Sequence, residues 1–441
     1  MTKEMTKVAL NQQAKPYIQN DEFNKLASGV LDPYVKVRLY EDSFADRILA
    51  VRHVTEADLI TEIKDDSFYV TGKVEQATEF AVAANFIDRP AERYISGKRY
   101  KIHLGKHKTA IARKQKDELM AYDYDILADA ADKDVFELGM LRDWKLMCVL
   151  NECTRFSGKV TPDWLLANNA LNMQVDKIHV LRLENTLNSG GRNGMPLPDK
   201  LKTTRLLFSD PVRADFALLN QTTLGDELAG RLFIEGFTVD RIQGIEYTSS
   251  IKEELLTEHE YVQLVKFTAA TLASETVTVN GVVIDVASAG SAVLAAKKLA
   301  DGINSSTDAA INTTADDAPL RVIRAVAEGD TVRISSVPMA NEELRTFMGG
   351  TFAVSVAAVA GGKAAVVGTG YDRYDIMWAF PDEQYIGEII RMNGRDIETE
   401  MWKTNGEETV NRVCREWFGL GIGNYNGVAK TRLQRARVLA A

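Results

Sequence analysis

Apolar positions along residues 117–152 recur at three- and four-residue steps: Leu119, Tyr122 and Ile126, then Phe136, Met140, Trp144 and Met147. That period puts them on one stripe and predicts one long or kinked helix. At ~1.5 Å per residue it reaches ~50 Å, long enough to be the backbone of a flattened subunit. Asp117 and Glu118 stand where an N-terminal dipole favours acids. Upstream, residues 1–30 are polar and alternate only weakly, which reads as an arm or loosely packed extension that needs a partner to order it. Short strand-like and helical pieces fill Val35 to Val54. From Ser67 to Gly105, β-branched and aromatic residues around turn signals such as Ser96-Gly97 predict an extended, hairpin-like loop.

Helical and strand segments alternate from Thr161 to Glu258, broken by a Gly- and Pro-rich loop from Asn188 to Pro198, so this stretch reads as a mixed α/β domain. From about Val265 to Gly370 the chain turns rich in Ala, Val and Thr and nearly free of aromatics, which predicts an inserted domain. Within it, Thr276 to Val279, Asn280-Gly281 and Val282 to Ile284 make a hairpin, since Asn-Gly suits the positive φ of a tight primed turn. Val293, Ala296, Ala300 and Ile303 fall on one helical face, and further strands are expected at Leu320–Ala327, Thr331–Ser335 and Phe352–Ala358. Aromatics return after Tyr371, so the final segment is expected to complete the fold that the insertion interrupts.

With 441 residues and 45% hydrophobic composition, the chain has room for two to four folding units. Its three cysteines, Cys148, Cys153 and Cys414, lack metal-ligand spacing, and no cationic apolar leader is visible, so a reduced cytosolic setting is expected. The longest apolar stretch, Phe352 to Gly362, is short of the ~20 residues that cross a bilayer. A net charge of -9 argues against bulk affinity for nucleic acid. The distribution changes that picture. Residues 89–116 hold ten basic side chains against the single acid Glu92, a net +9 that leaves -18 on the other 413 residues. A basic segment on an acidic chain suits pairing with another copy of the chain, against the plainer alternative of a solvated face.

Candidate chemistry is sparse. In Gly419 to Gly427, Asn424 stands where a Gly-x-Gly-x-x-Gly phosphate loop needs its third glycine, so a structural turn or bulge is expected. His103 and His107 are four apart, but Gly105 lies between them in a strand-like basic run, which points to surface histidines rather than a zinc site. Asp123 and Asp125 sit two apart on the predicted helix and point different ways. No Gly-x-Ser-x-Gly elbow occurs, and the cysteines have the apolar or aromatic neighbours of buried thiols. No catalytic, cofactor-binding or metal-binding residue is assigned, and no enzyme activity is expected.

The order of polar arm, basic extended loop, long helix, α/β domain with insertion and returning aromatic segment resembles the major capsid protein of tailed bacteriophages. The residues that carry the resemblance are Arg99 to Lys116 running into Asp117 to Asn151, then Lys177 to Leu183 with Asp210 to Ile251, and finally Tyr371 to Leu433. The insertion, with Glu275 to Val283, Ala300 to Asn304 and Gly329 to Ser335, is similar to small modules of phage structural proteins.

The resemblance implies an α+β, Hong Kong 97-type fold. It divides the chain into an N-terminal arm and lead-in to the peripheral domain (1–48), an extended-loop region (49–116), the spine helix of the peripheral domain (117–155), an axial domain (156–264), an inserted small β-rich α/β module (265–370) and the completion of the axial domain with return to the peripheral one (371–441). It implies a virion protein, assembled in the bacterial host cytoplasm, that forms hexamers and pentamers of an icosahedral head shell around double-stranded DNA, without sequence-specific DNA binding and without a membrane. Scaffold, portal and decoration proteins are further candidate partners. Arg93, Lys98, Arg99, Lys101, Lys106 and Lys108 are the candidate inter-subunit contacts. Two alternatives share parts of the pattern: an encapsulin-type compartment shell and a phage tail or baseplate protein.

Overall fold

The computed structural model describes residues 13–14, 16–61, 68–74, 98–121, 126–160, 177–188, 201–218, 241–242, 245–271, 275–308, 310–315, 318–356, 364–393, 397–404 and 408–439. The fold is mixed α+β, built on two large sheets. The first elements depart from the expectation of a loosely packed arm. Residues 13–31 are largely helical and bury Ala14, Ile18, Phe23, Leu26, Val30 and Leu31 in one cluster with helix α1 (Asp32–Asp42). The apolar period is hidden in the sequence because the chain turns at Asn20–Glu22, where Asp21 adopts a φ of 56°. The turn resets the phase between Ile18 and Phe23.

After strand β1 (Ala50–Val54), strands β2 (Phe68–Val74) and β3 (Lys98–Lys108) pair antiparallel from Phe68↔Leu104 to Val74↔Lys98. These are the two arms of the predicted loop; its tip, with Ser96-Gly97, lies outside the described residues. Strand β4 (Ala112–Gln115) precedes a short helix, Lys116–Ala121, and then α2, Ile126–Ser157. The long helix is thus present, with 32 residues in α2 alone. Asp123 and Asp125 lie outside the described residues. One expected member of its apolar stripe is turned out: Phe136 is 53% exposed.

The chain continues through α3 (Lys177–Asn188), β5 (Arg205–Ser209), α4 (Asp210–Leu218), β6 (Ile245–Ser250) and β7 (Thr257–Phe267). The Gly/Pro loop after Asn188 lies outside the described residues. Next come the hairpin β8 (Thr276–Val279) and β9 (Val282–Asp285), helix α5 (Ala292–Ser305), strands β10 (Ile323–Glu328) and β11 (Thr331–Ser336), and β12 (Val354–Val356). The expected turn is present: Val279 pairs with Val282, with φ of 49° at Asn280 and 86° at Gly281. Helix α5 is capped by Ser291, whose Oγ accepts from Leu294 N at 3.2 Å, and it buries Ala295, Ala296, Leu299, Ala300 and Ile303. Val293 differs from expectation: in the first turn of the helix, it remains 55% exposed. Asn304 closes the outer edge of β10, its amide donating to Ala325 O at 2.6 Å and accepting from Ala325 N at 3.1 Å. A side chain that mimics a strand in this way blunts an edge that would otherwise template pairing.

The last strands are β13 (Ala364–Phe380), β14 (Gly387–Met392), β15 (Ile397–Lys403), β16 (Thr409–Ile422) and β17 (Ala429–Ala436). Among the described residues, one sheet has ten strands and runs β10-β11-β7-β13-β5-β6, with β17 on β13 and three short strands, Arg241–Ile242 beside β6, Thr346–Met348 on β7 and Met339–Asn341 beside that; the other has eight and runs β1-β14-β16-β3-β2, with β15 and β4 on β16 and the short strand Ile60–Thr61 beside β2. Strand β7 leads out to the 268–363 segment and β13 leads back, paired with it from Ala364↔Phe267 to Asp375↔Thr257. Strand β11 also pairs with β7, so part of that segment extends the ten-stranded sheet.

The main core lies where Trp144, Met147 and Leu150 of α2 meet Trp378, Phe380 and Ile389. Each such fully buried large side chain contributes about 1.5–3 kcal/mol relative to exposure. The Gly419–Gly427 stretch is not a turn throughout. Gly419 and Gly421 lie inside β16, where a Cβ would come within 2.5 Å of His103 O and of Ile102 Cγ1, so β3 can cross there only because both residues lack a side chain.

Candidate assembly surface

Strand β3 carries most of the described basic segment, and alternation decides which side chains face outward. Ile102 and Leu104 are buried with Val54, Val70, Ile390 and Met392, while Arg99, Lys101 and His103 on the other face are exposed. The buried side switches at Gly105, where β3 leaves β2 for β16, pairing Gly105↔Phe418 and Lys108↔Arg415. Beyond that point Lys106 and Lys108 are exposed and His107 is half-buried. Lys101 Nζ sits 4.6 Å from the Tyr69 ring centre and Lys106 Nζ 4.9 Å from that of Trp417, positions that hold the cations over aromatic faces.

Of the six predicted contact residues, the structure therefore places Arg99, Lys101, Lys106 and Lys108 on one exposed strand. The side chain of Lys98 and all of Arg93 lie outside the described residues. Lys116 Nζ, at the end of the segment, pairs with Asp21 Oδ1 at 2.6 Å, across 95 residues of sequence.

Helix α2 is tied to the sheets behind this strand by buried ion pairs that sequence reasoning missed. Arg412 on β16 donates to Asp134. Arg142, fully buried, donates to Asp46 at 2.6 Å and to Glu416, and Arg391 donates to the same Asp46. Asp143, also fully buried, accepts from Lys252 Nζ at 2.8 Å, Ser43 Oγ at 2.7 Å and Ala45 N at 3.1 Å; Lys252 also holds Asp42 at 2.7 Å. Burial pushes the Asp143 carboxyl above its ordinary range, opposed by the Lys252 charge. Such pairs favour a single arrangement of helix on sheet, because removing one partner strands the other in the interior.

Contrary to the expectation of a surface residue, His107 packs against Phe418, ring centres 4.5 Å apart, and its Nε2 lies 3.0 Å from Lys145 Nζ. A neutral ring accepts from that ammonium. Burial, helped by the Lys145 and Arg142 charges, pushes the His107 pKa down to about 4. The neutral form is then the one the fold prefers, so His107 supports stability fully above pH ~6.5 and that support is lost as pH falls towards ~4. Thermal midpoints measured from pH 7 to pH 4.5 should decline, and His107→Gln should flatten that slope by on the order of 1–2 kcal/mol, discounted because the ring is partly solvated.

The thiols are inert by environment: burial pushes Cys148 up to about 11, and Cys153 and Cys414 up to about 12. Among the described residues no group of three or more His, Cys, Asp and Glu is arranged to hold a metal ion, and no helix is long and apolar enough to cross a membrane.

No family model matches the chain, and no curated protein matches it. Solved structures do. A chain from the capsid structure of the cyanophage P-SCSP1u is 8% identical, covers 90% of this chain and 88% of its own length, and has a TM-score of 0.42. A chain of Microbacterium phage Oxtober96 is 7% identical over 89% of this chain and 90% of its own, with a TM-score of 0.39. One from the asymmetric unit of the bacteriophage PhiM1 mature capsid is 10% identical over 90% and 88%, with a TM-score of 0.37. The chain is thus distantly similar to chains of phage particles.

Proposed function

We propose that this chain is the major capsid protein of a tailed phage, assembling through hexamers and pentamers into a closed icosahedral shell around double-stranded DNA. The observation that carries the proposal is the β2/β3 hairpin, which buries one side on its own sheet and turns Arg99 and Lys101 outward, on a chain whose residues outside 89–116 sum to -18. A cationic hairpin on an acidic subunit has its natural counter-surface on the next copy. Arg93, Lys98, Arg99, Lys101, Lys106 and Lys108 are assigned to that contact. The ion pairs of Asp134 and Arg142 on α2 with Arg412 and Glu416 fix the helix to β16, the strand that pairs with the end of β3, and so supply a rigid base.

In this reading residues 49–116 act as the extended loop, α2 as the spine of a peripheral domain, and 156–264 with 371–441 as the axial domain and its return. Pairing of Phe267 with Ala364 supports treating 265–370 as an insertion, because its ends meet. Its sharing of the ten-stranded sheet through β11 makes it a rigid extension of that sheet. The protein acts without catalysis or cofactor, resides in the virion, and is made in the bacterial cytoplasm, where scaffold, portal and decoration proteins are its candidate partners. Sedimentation velocity of the purified full-length chain tests the proposal: fast-sedimenting particles at low salt are expected, and a single monomer boundary under every assembly condition tried would refute it.

A further inference from the structure

An open groove of about 500 Å³ is lined by the last turns of α2 and by residues 337–340, which follow β11. That volume falls within the ~300–1,000 Å³ of ligand sites. Every carboxylate in its lining already has a cation: Glu258 is held by Lys430 and Arg432, Glu260 by Arg324 at 2.7 Å and Glu152 by Arg155 at 3.2 Å. Three features point to an absent occupant. The short strand Met339–Asn341 is paired on one side only among the described residues, with Thr346–Met348, and its Met339 and Ala340 are exposed. Asn151 Nδ2, from α2, is buried with no hydrogen-bond partner among the described residues. The guanidinium side chains of Arg155 and Arg324, from α2 and β10, remain 32% and 33% exposed.

We propose that this groove receives an extended acidic segment of a partner protein, added as a strand to the edge of Met339–Asn341. An open backbone edge recruits extended peptide through main-chain hydrogen bonds, while the side chains around it select the sequence. At three residues, with Pro338 just before it, this edge is too short to template sheet-to-sheet stacking, yet it matches a segment of about 10 Å. Charge selects an acid. Four cations against three acids line the groove, and each of those acids is occupied, so a basic ligand side chain meets no available carboxylate. A ligand carboxylate meets Arg155 and Arg324, and a ligand carbonyl takes the Asn151 Nδ2 donor, whose buried state is otherwise a cost of ~1–3 kcal/mol. Alternate side chains of the segment fall against Val160, Met339 and Phe347, which should be apolar in consequence. The site does not depend on what the chain assembles into.

Photo-crosslinking to the full-length chain tests this. The probe is a pool of end-blocked, photoreactive pentapeptides with glutamate at the centre and Val, Ile, Thr or Ala elsewhere; the control pool carries lysine at the centre. The glutamate pool should label saturably, with cross-links mapped by mass spectrometry to residues 337–341 and 151–155, and the lysine pool should bind at least ~5-fold more weakly. Arg155→Glu, a change at a partly exposed helix position, should reduce or reverse that preference. Equal labelling by the two pools, cross-links spread over other surfaces, or no saturable labelling overturns the proposal. The comparison of pools on the wild-type chain decides it without any variant having to fold.

Discussion

Reversing Lys98, Arg99 and Lys101 to glutamate is expected to leave a folded subunit that forms no shells. The backbone at these positions lies in β3, and Arg99 and Lys101 are exposed, so the substitutions should change unfolding stability by no more than ~1 kcal/mol. Each exposed ion pair they remove is individually worth only ~0–1 kcal/mol. A shell repeats the pair at every subunit contact, however, and reversal replaces attraction by repulsion at each one, so the summed effect on assembly is large. Salt should act in the same direction on the wild type, since a Debye length of ~8 Å at physiological ionic strength leaves surface pairs partly screened and higher salt screens them further. Light scattering during assembly, run without DNA, separates this from a DNA-binding role. Empty shells forming normally from the reversed subunit would transfer the basic strand to the packaged genome.

The second large effect is on the fold. Lys252→Met removes the cation that faces Asp143 and leaves a fully buried carboxylate with only Ser43 and Ala45 as donors. A buried charge deprived of its partner costs about 3–5 kcal/mol, a large share of the ~5–15 kcal/mol that a domain has in total. The pH dependence has a definite sign. Burial already raises the folded-state pKa of Asp143, and losing Lys252 raises it further, so the penalty is greatest at neutral pH and shrinks as pH falls and the carboxyl takes up a proton. Pairing the change with Asp143→Leu should recover most of the loss, since apolar groups can replace a buried ion pair at little cost. Urea unfolding of the two variants is the check, and an unaltered midpoint for Lys252→Met would contradict the structural role given to this pair.

The elements that local patterns specify were the ones readable in advance. The Asn280-Gly281 hairpin follows from two residues that tolerate positive φ, and the long helix from a period sustained over more than thirty positions. The arms of the basic loop were readable from β-branched and aromatic content alone. The N-terminal helices were not, because a turn at Asp21 divides their apolar positions into two short phases, neither long enough to stand out. Phe136 matched the stripe by spacing, yet that position faces outward.

Of the candidate surface, alternation could mark Arg99 and Lys101 as facing away from Ile102. The change of buried side at Gly105 depends on strand β16, three hundred residues later, and His107 is drawn inward by that change. The ion network was illegible for the same reason: Arg142 with Glu416, Arg412 with Asp134 and Lys430 with Glu258 are separated by 274, 278 and 172 residues. Charge spacing along the chain carries no trace of such pairs.

Electron microscopy of the purified, expressed full-length chain tests the central claim most directly. Closed, faceted shells with five-fold and six-fold subunit clusters are the predicted result. Rings or open tubes, or dispersed monomers at every salt and protein concentration tried, would contradict it.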